Sequence, residues 1–383
     1  MTIEVRPVRS RADRRAFLSV PPALRSGDPH WVRPLSTEAA ELIDPARNPF
    51  FDHATVDLFV AWDGRDPVGR ISAHTDDLAL AQPADQGFGP GTGFFGLFEA
   101  ENEAVASALL AAAEERLRER GMARVLGPIS LSVWEEPGLL THGYDHAPTV
   151  MMGHDPAAYR MWIEGAGYQA IKRLLTYDLD ITRTFGPLLT RVIESGRRNE
   201  RIRVRMVDKS RFDEEAAIIL SLLNDAWSDN WGFVPVTDRE IEVFGRKIKP
   251  LVFEELIRIA EYDGEPAAFL MALPDLNEVL KPLNGALFPF GWARLLLWLR
   301  KPRPRTMRVP LMGVVKRLQG SRLASQLTSM LFEEVRAASV AEFGATRGEL
   351  GWVLEDNAGM IAIADAIESR VNRIYTIYEK ALT

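Results

Sequence analysis

The residues best suited to chemistry stand at Gln319-Gly320-Ser321-Arg322-Leu323-Ala324, between an apolar run, Leu311–Val315, and a long stretch with helical spacing. A strand that passes into a helix through Gly and Ser leaves the first helix amides without internal partners. With the helix dipole, those amides hold a phosphate. Gly320, Ser321 and Ala324 are small enough to let it approach the backbone, and Val314 and Val315 close the strand in front of it. Arg322 is the exception, a bulky cation in a place that favours a small residue. Its guanidinium either pairs with the phosphate or crowds it.

Other groupings carry less. The chain has no cysteine, which excludes thiolate nucleophiles, iron–sulfur clusters, disulfides and cysteine-ligated zinc. All six histidines, His30, His53, His74, His142, His146 and His154, lie in the first half. His142, His146 and His154, with Asp145 and Asp155, raise a metal site. The surrounding Gly/Pro-rich loop offers no i, i+4 geometry, so no metal is assigned. Gly91-Thr-Gly-Phe-Phe-Gly96 matches G-x-G-x-x-G, but a dinucleotide loop follows a strand and opens a helix, whereas this one precedes a strand and reads as a turn. Glu135-Glu136, before Pro137-Gly138, reads as a solvated turn, with a substrate-facing acidic pair as the alternative.

The elements that must position these residues occur twice. The length of 383 residues is enough for two domains or a little more, and 46% apolar with 26% charged residues is a globular balance. Asp63-Gly64 and Asp263-Gly264 each separate two apolar runs, a hairpin signature. A strand precedes each, at 4–8 and 202–207. After each hairpin a strand feeds a long helix: 94–99 into 103–120, and 309–315 into 322–343, with Leu323, Leu327, Met330, Leu331 and Val335 on one face. Each half then gives a short strand, 124–128 or 347–354, a helix, and a closing strand, Lys172–Tyr177 or Asn372–Tyr378. The reading is α+β: one unit at 1–182, a connection at 183–199 and a second unit at 200–383.

This order, with a strand running into a phosphate-cradling helix, resembles the GNAT N-acyltransferase superfamily. The resemblance covers nearly the whole chain as a tandem pair of GNAT-like domains, each a mixed, largely antiparallel sheet flanked by helices. In that family a Gln/Arg-x-x-Gly-x-Gly/Ala motif binds acyl-CoA, and Gln319–Ala324 stands in its place, with Arg322 where glycine is preferred. The resemblance implies acyl-CoA or acetyl-CoA as co-substrate, held by Val314, Val315, Gln319, Gly320, Ser321, Arg322 and Ala324. Gly348–Asn357 resembles the fifth strand and the start of the next helix, so Asn357 is implied to bond the pantetheine arm, or else to cap the helix. Seven residues on, where many members place a tyrosine acid, this chain has Ala364. The opening of the first long helix, Glu99-Ala-Glu-Asn-Glu-Ala, is acidic and would repel pyrophosphate, which implies a degenerate first domain.

Acyl transfer to an amine needs a base for the ammonium proton. The second half has no histidine, so the implied base is Glu349, Glu355 or Asp356, with Tyr375 or Tyr378 as donor. Asn224–Pro235 falls where the family covers its acceptor site, so Asp225, Trp227, Asn230 and Trp231 are the implied substrate residues. The implied activity is N-acyl transfer by direct attack; the alternative is an inactive tandem GNAT-like ligand-binding protein.

Lys281–Arg308 interrupts the strands of the second half with seven basic residues, no acidic ones and four large aromatics. That composition suits a segment lying on an anionic membrane or the wall of an acyl-chain channel, with a core-packing lid or a homodimer contact as the alternatives. With this insertion the layout is similar to GNAT-like bacterial N-acyltransferases that make ceramide, which implies a lipid-like (sphingoid) amine and a long-chain acyl donor. Net charge is −7, which argues against nucleic acid as a partner. Removing the insertion leaves about −14 on the rest. The N-terminus has no basic flank before an apolar run and no window is apolar enough to span a bilayer. The expected location is the bacterial cytoplasm, with peripheral contact at the inner face of the membrane.

Overall fold

A computed structural model describes residues 3–382. The first half runs β1 (Ile3–Pro7), α1 (Arg11–Arg25), α2 (Ser36–Leu42), β2 (Ala54–Asp63), β3 (Asp66–Asp76), α3 (Asp77–Leu80), β4 (Thr92–Ala100), α4 (Glu103–Glu119), β5 (Arg124–Gly127), β6 (Leu139–His142), α5 (Ala158–Gly165) and β7 (Gln169–Asp180). The second runs α6 (Pro187–Arg197), β8 (Ile202–Met206), α7 (Phe212–Trp227), α8 (Asp238–Ile248), β9 (Ile257–Tyr262), β10 (Glu265–Pro274), α9 (Asn277–Leu280), α10 (Gly291–Arg300), β11 (Thr306–Val314), α11 (Arg322–Phe343), β12 (Arg347–Leu354), α12 (Ala358–Ala366) and β13 (Arg370–Ala381).

Local chemistry explains the boundaries. Asp263 and Gly264 both take positive φ, the geometry of a tight two-residue turn between β9 and β10. Ser321 caps α11 by accepting from the Ala324 amide at 3.1 Å, and Gly344 ends the helix in the left-handed region. Along α11, Leu327, Leu331 and Val335 are buried against β10 and β12 residues such as Leu270 and Leu350. The corresponding helix α4 buries Val105, Leu109 and Leu117 under the first-half strands.

Sequence order gives each half its own closing strand, but the structure exchanges them. The sheet runs β1-β2-β3-β4-β5-β13-β7-β12-β11-β10-β9-β8, with β6 beside β13. Strand β13 pairs antiparallel with β5, Tyr378 opposite Gly127, and β7 pairs antiparallel with β12, Tyr177 opposite Leu350. The last strand of the chain therefore completes the first half, and the last strand of the first half completes the second. One sheet spans both, so the halves are joined by ladder hydrogen bonds as well as by side chains.

The exchange frames two comparable openings with opposite fates. Strands β11 and β12 are parallel neighbours only from Thr306 opposite Arg347 to Val309 opposite Leu350, and beyond that point they separate. Pro310, which has no amide hydrogen, is the first residue past the ladder. In the first half, β4 and β5 pair from Thr92–Arg124 to Phe94–Leu126. There the chain fills the gap itself: the Ile129 amide donates to the Phe95 carbonyl at 2.7 Å. A Cβ on Gly96 would lie 1.8 Å from the Ile129 carbonyl oxygen, so only glycine permits this filling.

Candidate functional site

The open gap between β11 and β12 is one wall of a cavity of about 1990 Å³, larger than the roughly 300–1,000 Å³ of an ordinary small-ligand pocket. Pro310–Val314 lines it on one side and Leu350–Leu354 on the other. Gln319, Gly320, Ser321 and Ala324, at the start of α11, also reach it, as does Asn357. Gly320 has φ +71° and open space where a Cβ would stand. The loop before α11 is held from behind. The Gln319 side-chain amide donates to the carbonyls of Val314 (2.9 Å) and Ala226 (3.1 Å), and the Lys316 amide donates to Asp225 (2.7 Å). The end of α7 thus fixes the loop and leaves its glycine–serine surface facing the cavity.

Aromatic side chains from both halves form the next stretch of wall. Trp227 donates its indole N–H to the Met312 carbonyl at 2.9 Å and Trp134 donates to the Val234 carbonyl at 3.1 Å. Trp231 packs on Phe88, 5.4 Å between ring centroids, with the Lys172 ammonium 5.4 Å from its ring. Asn230 lies in the same stretch.

Directly after Trp134 the wall becomes acidic. Glu135, Glu136, Glu99 and Asp155 line this part of the cavity together with Arg70. The turn that carries the glutamates is pinned by the Ser130 amide donating to the Glu136 carbonyl (3.1 Å) and the Gly138 amide donating to the Pro128 carbonyl (2.8 Å). Glu135 and Glu136 are exposed side chains whose accessible surface faces the cavity they line, with protein packed around it. Desolvation therefore dominates. It pushes Glu136 up to about 7, with the charges of Asp155, Glu135 and Glu99 adding to the rise and Arg70 opposing it. Asp155 is pushed up to about 6, chiefly by burial, although it accepts from the Leu140 amide at 2.8 Å. Nearby His154 is pushed down to about 4 by burial and by the Arg373 charge. This part of the wall holds two carboxyl groups, Glu136 and Asp155, both raised towards neutral pH, so that a proton can be exchanged there.

No family model matches the sequence. The chain is 39% identical over 381 residues to the bacterial ceramide synthase of Caulobacter vibrioides (strain NA1000 / CB15N), covering 99% of this chain and 98% of that protein. The chain belongs to this ceramide synthase family. Protein YghO of Escherichia coli (strain K12) is 37% identical over 380 residues, 99% of this chain and 95% of that one. Among solved structures, a tandem GNAT protein from the clavulanic acid biosynthesis pathway superposes with TM-score 0.57 at 13% identity, covering 100% of this chain and 99% of that one. The fold is thus tandem GNAT, and the family is one of GNAT-type N-acyltransferases.

In this family member the residues singled out from sequence divide between the cavity and the framework behind it. Val314, Gln319, Gly320, Ser321, Ala324, Asn357, Trp227, Asn230 and Trp231 come together on the cavity wall. Arg322 turns outward, its guanidinium 3.3 Å from the Ser195 hydroxyl on α6, so it neither crowds nor fills the opening. Asp225 holds the loop from behind, and the Val315 amide donates to the Ala267 carbonyl at 2.9 Å. Asn357 caps α12, accepting from the Met360 amide at 3.0 Å, while also facing the cavity.

Glu349, Glu355 and Tyr375 lie off the cavity wall. Glu349 is buried among donors, accepting from Thr149, from Asn372 at 2.7 Å and from Arg347 at 3.0 Å. Glu355 accepts from the Arg173 amide at 2.9 Å. Tyr375 donates to the Gly153 carbonyl at 2.8 Å, and burial first raises the pKa of its phenol. Tyr378 donates to Glu164 at 3.1 Å, and Ala364 is fully buried. The Glu135-Glu136 turn keeps both of its sequence readings: the two side chains are exposed, and the cavity is what they are exposed to. The bridge between Ile129 and Pro137 closes the base of the turn. The sequence signal available was the acidic pair itself. Among the described residues no three His, Asp or Glu side chains are grouped to hold a metal ion.

Proposed function

We propose that this chain transfers a long acyl group from acyl-CoA to the primary amine of a lipid-like, sphingoid-type acceptor. One observation carries the reading. A single cavity joins the helix-start loop, the parted strands β11 and β12, an aromatic and aliphatic stretch, and an acidic end containing Glu136. The first-turn amides of α11 suit the pyrophosphate of CoA, and the gap between β11 and β12 suits its pantetheine arm. The size of the cavity and its many Leu, Ile, Phe and Trp side chains suit two alkyl chains. The acceptor's charge of +1 suits an end lined by carboxylates.

The chemistry follows from those parts. The carboxylate of Glu136 takes a proton from the ammonium, and the free amine attacks the thioester carbonyl. The N–C bond forms and the C–S bond breaks by tetrahedral addition and collapse, and the nitrogen's second proton passes to the departed thiolate, giving the CoA thiol. A thiolate, with a parent pKa of about 8.5, departs without the protonation that a nitrogen leaving group requires. No covalent enzyme intermediate is needed, consistent with the absence of cysteine.

Titration calorimetry with acetyl-CoA and palmitoyl-CoA, followed by mass spectrometry of the product with sphinganine, tests this. The expected result is tighter binding of the long-chain thioester and formation of an N-acyl product. Binding of neither thioester, or of acetyl-CoA alone, overturns it.

A further inference from the structure

Helix α10 departs from the pattern of a surface helix, which shows its polar face to water. Seven of its ten residues are Trp, Leu or Ala, and none is buried. Trp292, Leu296 and Leu297 are exposed, and the approach to the helix adds Phe288 at 83% and Phe290 at 78% exposure. An apolar face of this kind marks an interaction site on a monomer. Its fringe is cationic: Arg294, Arg300, Lys301, Arg303 and Arg305 are all exposed, and the insertion has no acidic residue. Arg308, the last basic residue of the insertion, is buried and takes no part.

Charge selects the occupant. A second copy meeting this face about a two-fold axis would place the same cations against one another. An anionic lipid surface accepts the aromatic and leucine side chains at the acyl boundary and the cations at the head groups. We propose that residues 286–305 dock the chain on an anionic membrane. Phe288, Phe290, Leu296 and Leu297 enter the interface, and Arg300, Lys301 and Arg303 read its charge.

The face also adjoins the cavity. The Gly285 carbonyl accepts from the Ser36 amide (3.0 Å) and hydroxyl (3.1 Å), and Arg33, Pro34 and Ser36 line the cavity, as does Leu280 at the other side of the insertion. Docking therefore brings a lipid surface beside the wall through which the acceptor would enter; that last clause rests on the proposed function, whereas docking itself does not.

Sedimentation of the full-length protein with phosphatidylcholine vesicles, with and without phosphatidylglycerol, tests docking in the absence of any substrate. The wild type binds the anionic vesicles at low salt, and binding weakens as salt is raised. Phe288→Ser/Phe290→Ser/Leu297→Ser weakens binding at least tenfold. Arg300→Gln and Lys301→Gln each weaken it about five-fold, with unchanged melting temperatures because all these side chains are exposed. Failure of the wild type to sediment with anionic vesicles overturns the proposal, as does a dimer at sedimentation equilibrium that the serine variant dissociates. Either outcome leaves the acyl-transfer reading standing, and failure to bind acyl-CoA leaves docking standing.

Discussion

Trp134 and Trp227 come from opposite halves of the chain and stack with ring centroids 5.9 Å apart and planes 12° from parallel. Trp227 is tied to β11 through the Met312 carbonyl, and Trp134 precedes Glu136 by two residues. The pair therefore sets the acidic turn of one half relative to the parted strands of the other. The exchanged strands β7 and β13 set the same relation at the level of the sheet. The first half, whose own opening is filled by Ile129–Leu131, contributes its carboxylates to the opening of the second.

Replacing Trp134 by leucine keeps apolar bulk but removes the stack and the hydrogen bond to Val234. The expected stability loss is about 1–2 kcal/mol. Turnover should fall further than that loss implies, by roughly 100-fold, because the turn bearing Glu136 loses its reference to β11. Urea unfolding and steady-state kinetics on the same preparation separate the two. Lost stability with wild-type turnover would detach the stack from catalysis.

Glu136 makes two pH predictions of opposite character. In the proposed mechanism activity requires the carboxylate, so kcat/KM should rise with pH through about 7. Glu136→Gln removes that limb and cuts turnover by about 10²–10⁴. Stability runs the other way. A pKa raised above its unfolded value of about 4.3 means that the favourable contribution is complete below that value and lost as pH rises through about 7. Glu136→Gln should therefore unfold at higher urea than wild type at pH 8 and at nearly the same concentration at pH 4.5. A destabilised variant at pH 8 would mean that Glu136 is held by partners and is not a free base.

What sequence makes legible here is whatever local chemistry enforces. Asp263-Gly264 announces a turn because few residues accept positive φ. The period of Leu327, Leu331 and Val335 announces the buried face of α11. Ser321 and Gly320 announce a helix start, capped at Ala324 by Ser321, that leaves the amides of Arg322 and Leu323 without internal partners. The strand exchange has no such signature: 172–177 and 372–378 are both basic, aromatic and aliphatic, and either satisfies either neighbour. Strand alternation also cannot tell which face opens on a cavity, so Glu349 and Tyr375 read as candidate base and donor until packing assigns them to Asn372 and Gly153. Turns carry no period, so the exposure of Glu135-Glu136 is legible but the cavity they face is not.

The helix-start loop can be tested by a substitution whose effects on binding and folding have opposite electrostatic signs. Ala324 is the third residue of α11 and faces the cavity. Ala324→Asp places an anion where the dipole favours one, by about 0.3–1 kcal/mol, offsetting the lower helix propensity of aspartate. The melting temperature should stay close to wild type. The same carboxylate repels a pyrophosphate at the amides of Arg322 and Leu323, so calorimetry should show acyl-CoA affinity reduced by at least roughly tenfold. Unchanged affinity would move the cofactor away from this helix.

His53 ties helix α8 to the first half, and that tie is pH-dependent. Its Nδ1 lies 2.8 Å from Asp76 and its Nε2 3.3 Å from Glu240, the residue that also closes the α8 capping box with Thr237. Burial alone would lower the imidazole pKa, but hydrogen bonds and charge from the two carboxylates outweigh it and push it up to about 10. The pKa is raised, so the stabilisation is complete below about 6.5 and is lost as pH rises through about 10. Ion pairs from Arg239 to Asp52 and from Lys247 to Glu41 (3.3 Å) hold the same helix, whose Ile241, Phe244 and Ile248 line the cavity. His53→Gln should cost about 2 kcal/mol at pH 6, and the deficit should shrink towards pH 10.5 as the wild type loses its own proton. Hydrogen exchange at pH 6 should show faster exchange in α8 of the variant than of the wild type, with α11 unchanged. A deficit that is constant from pH 6 to 10.5 would assign His53 to packing alone.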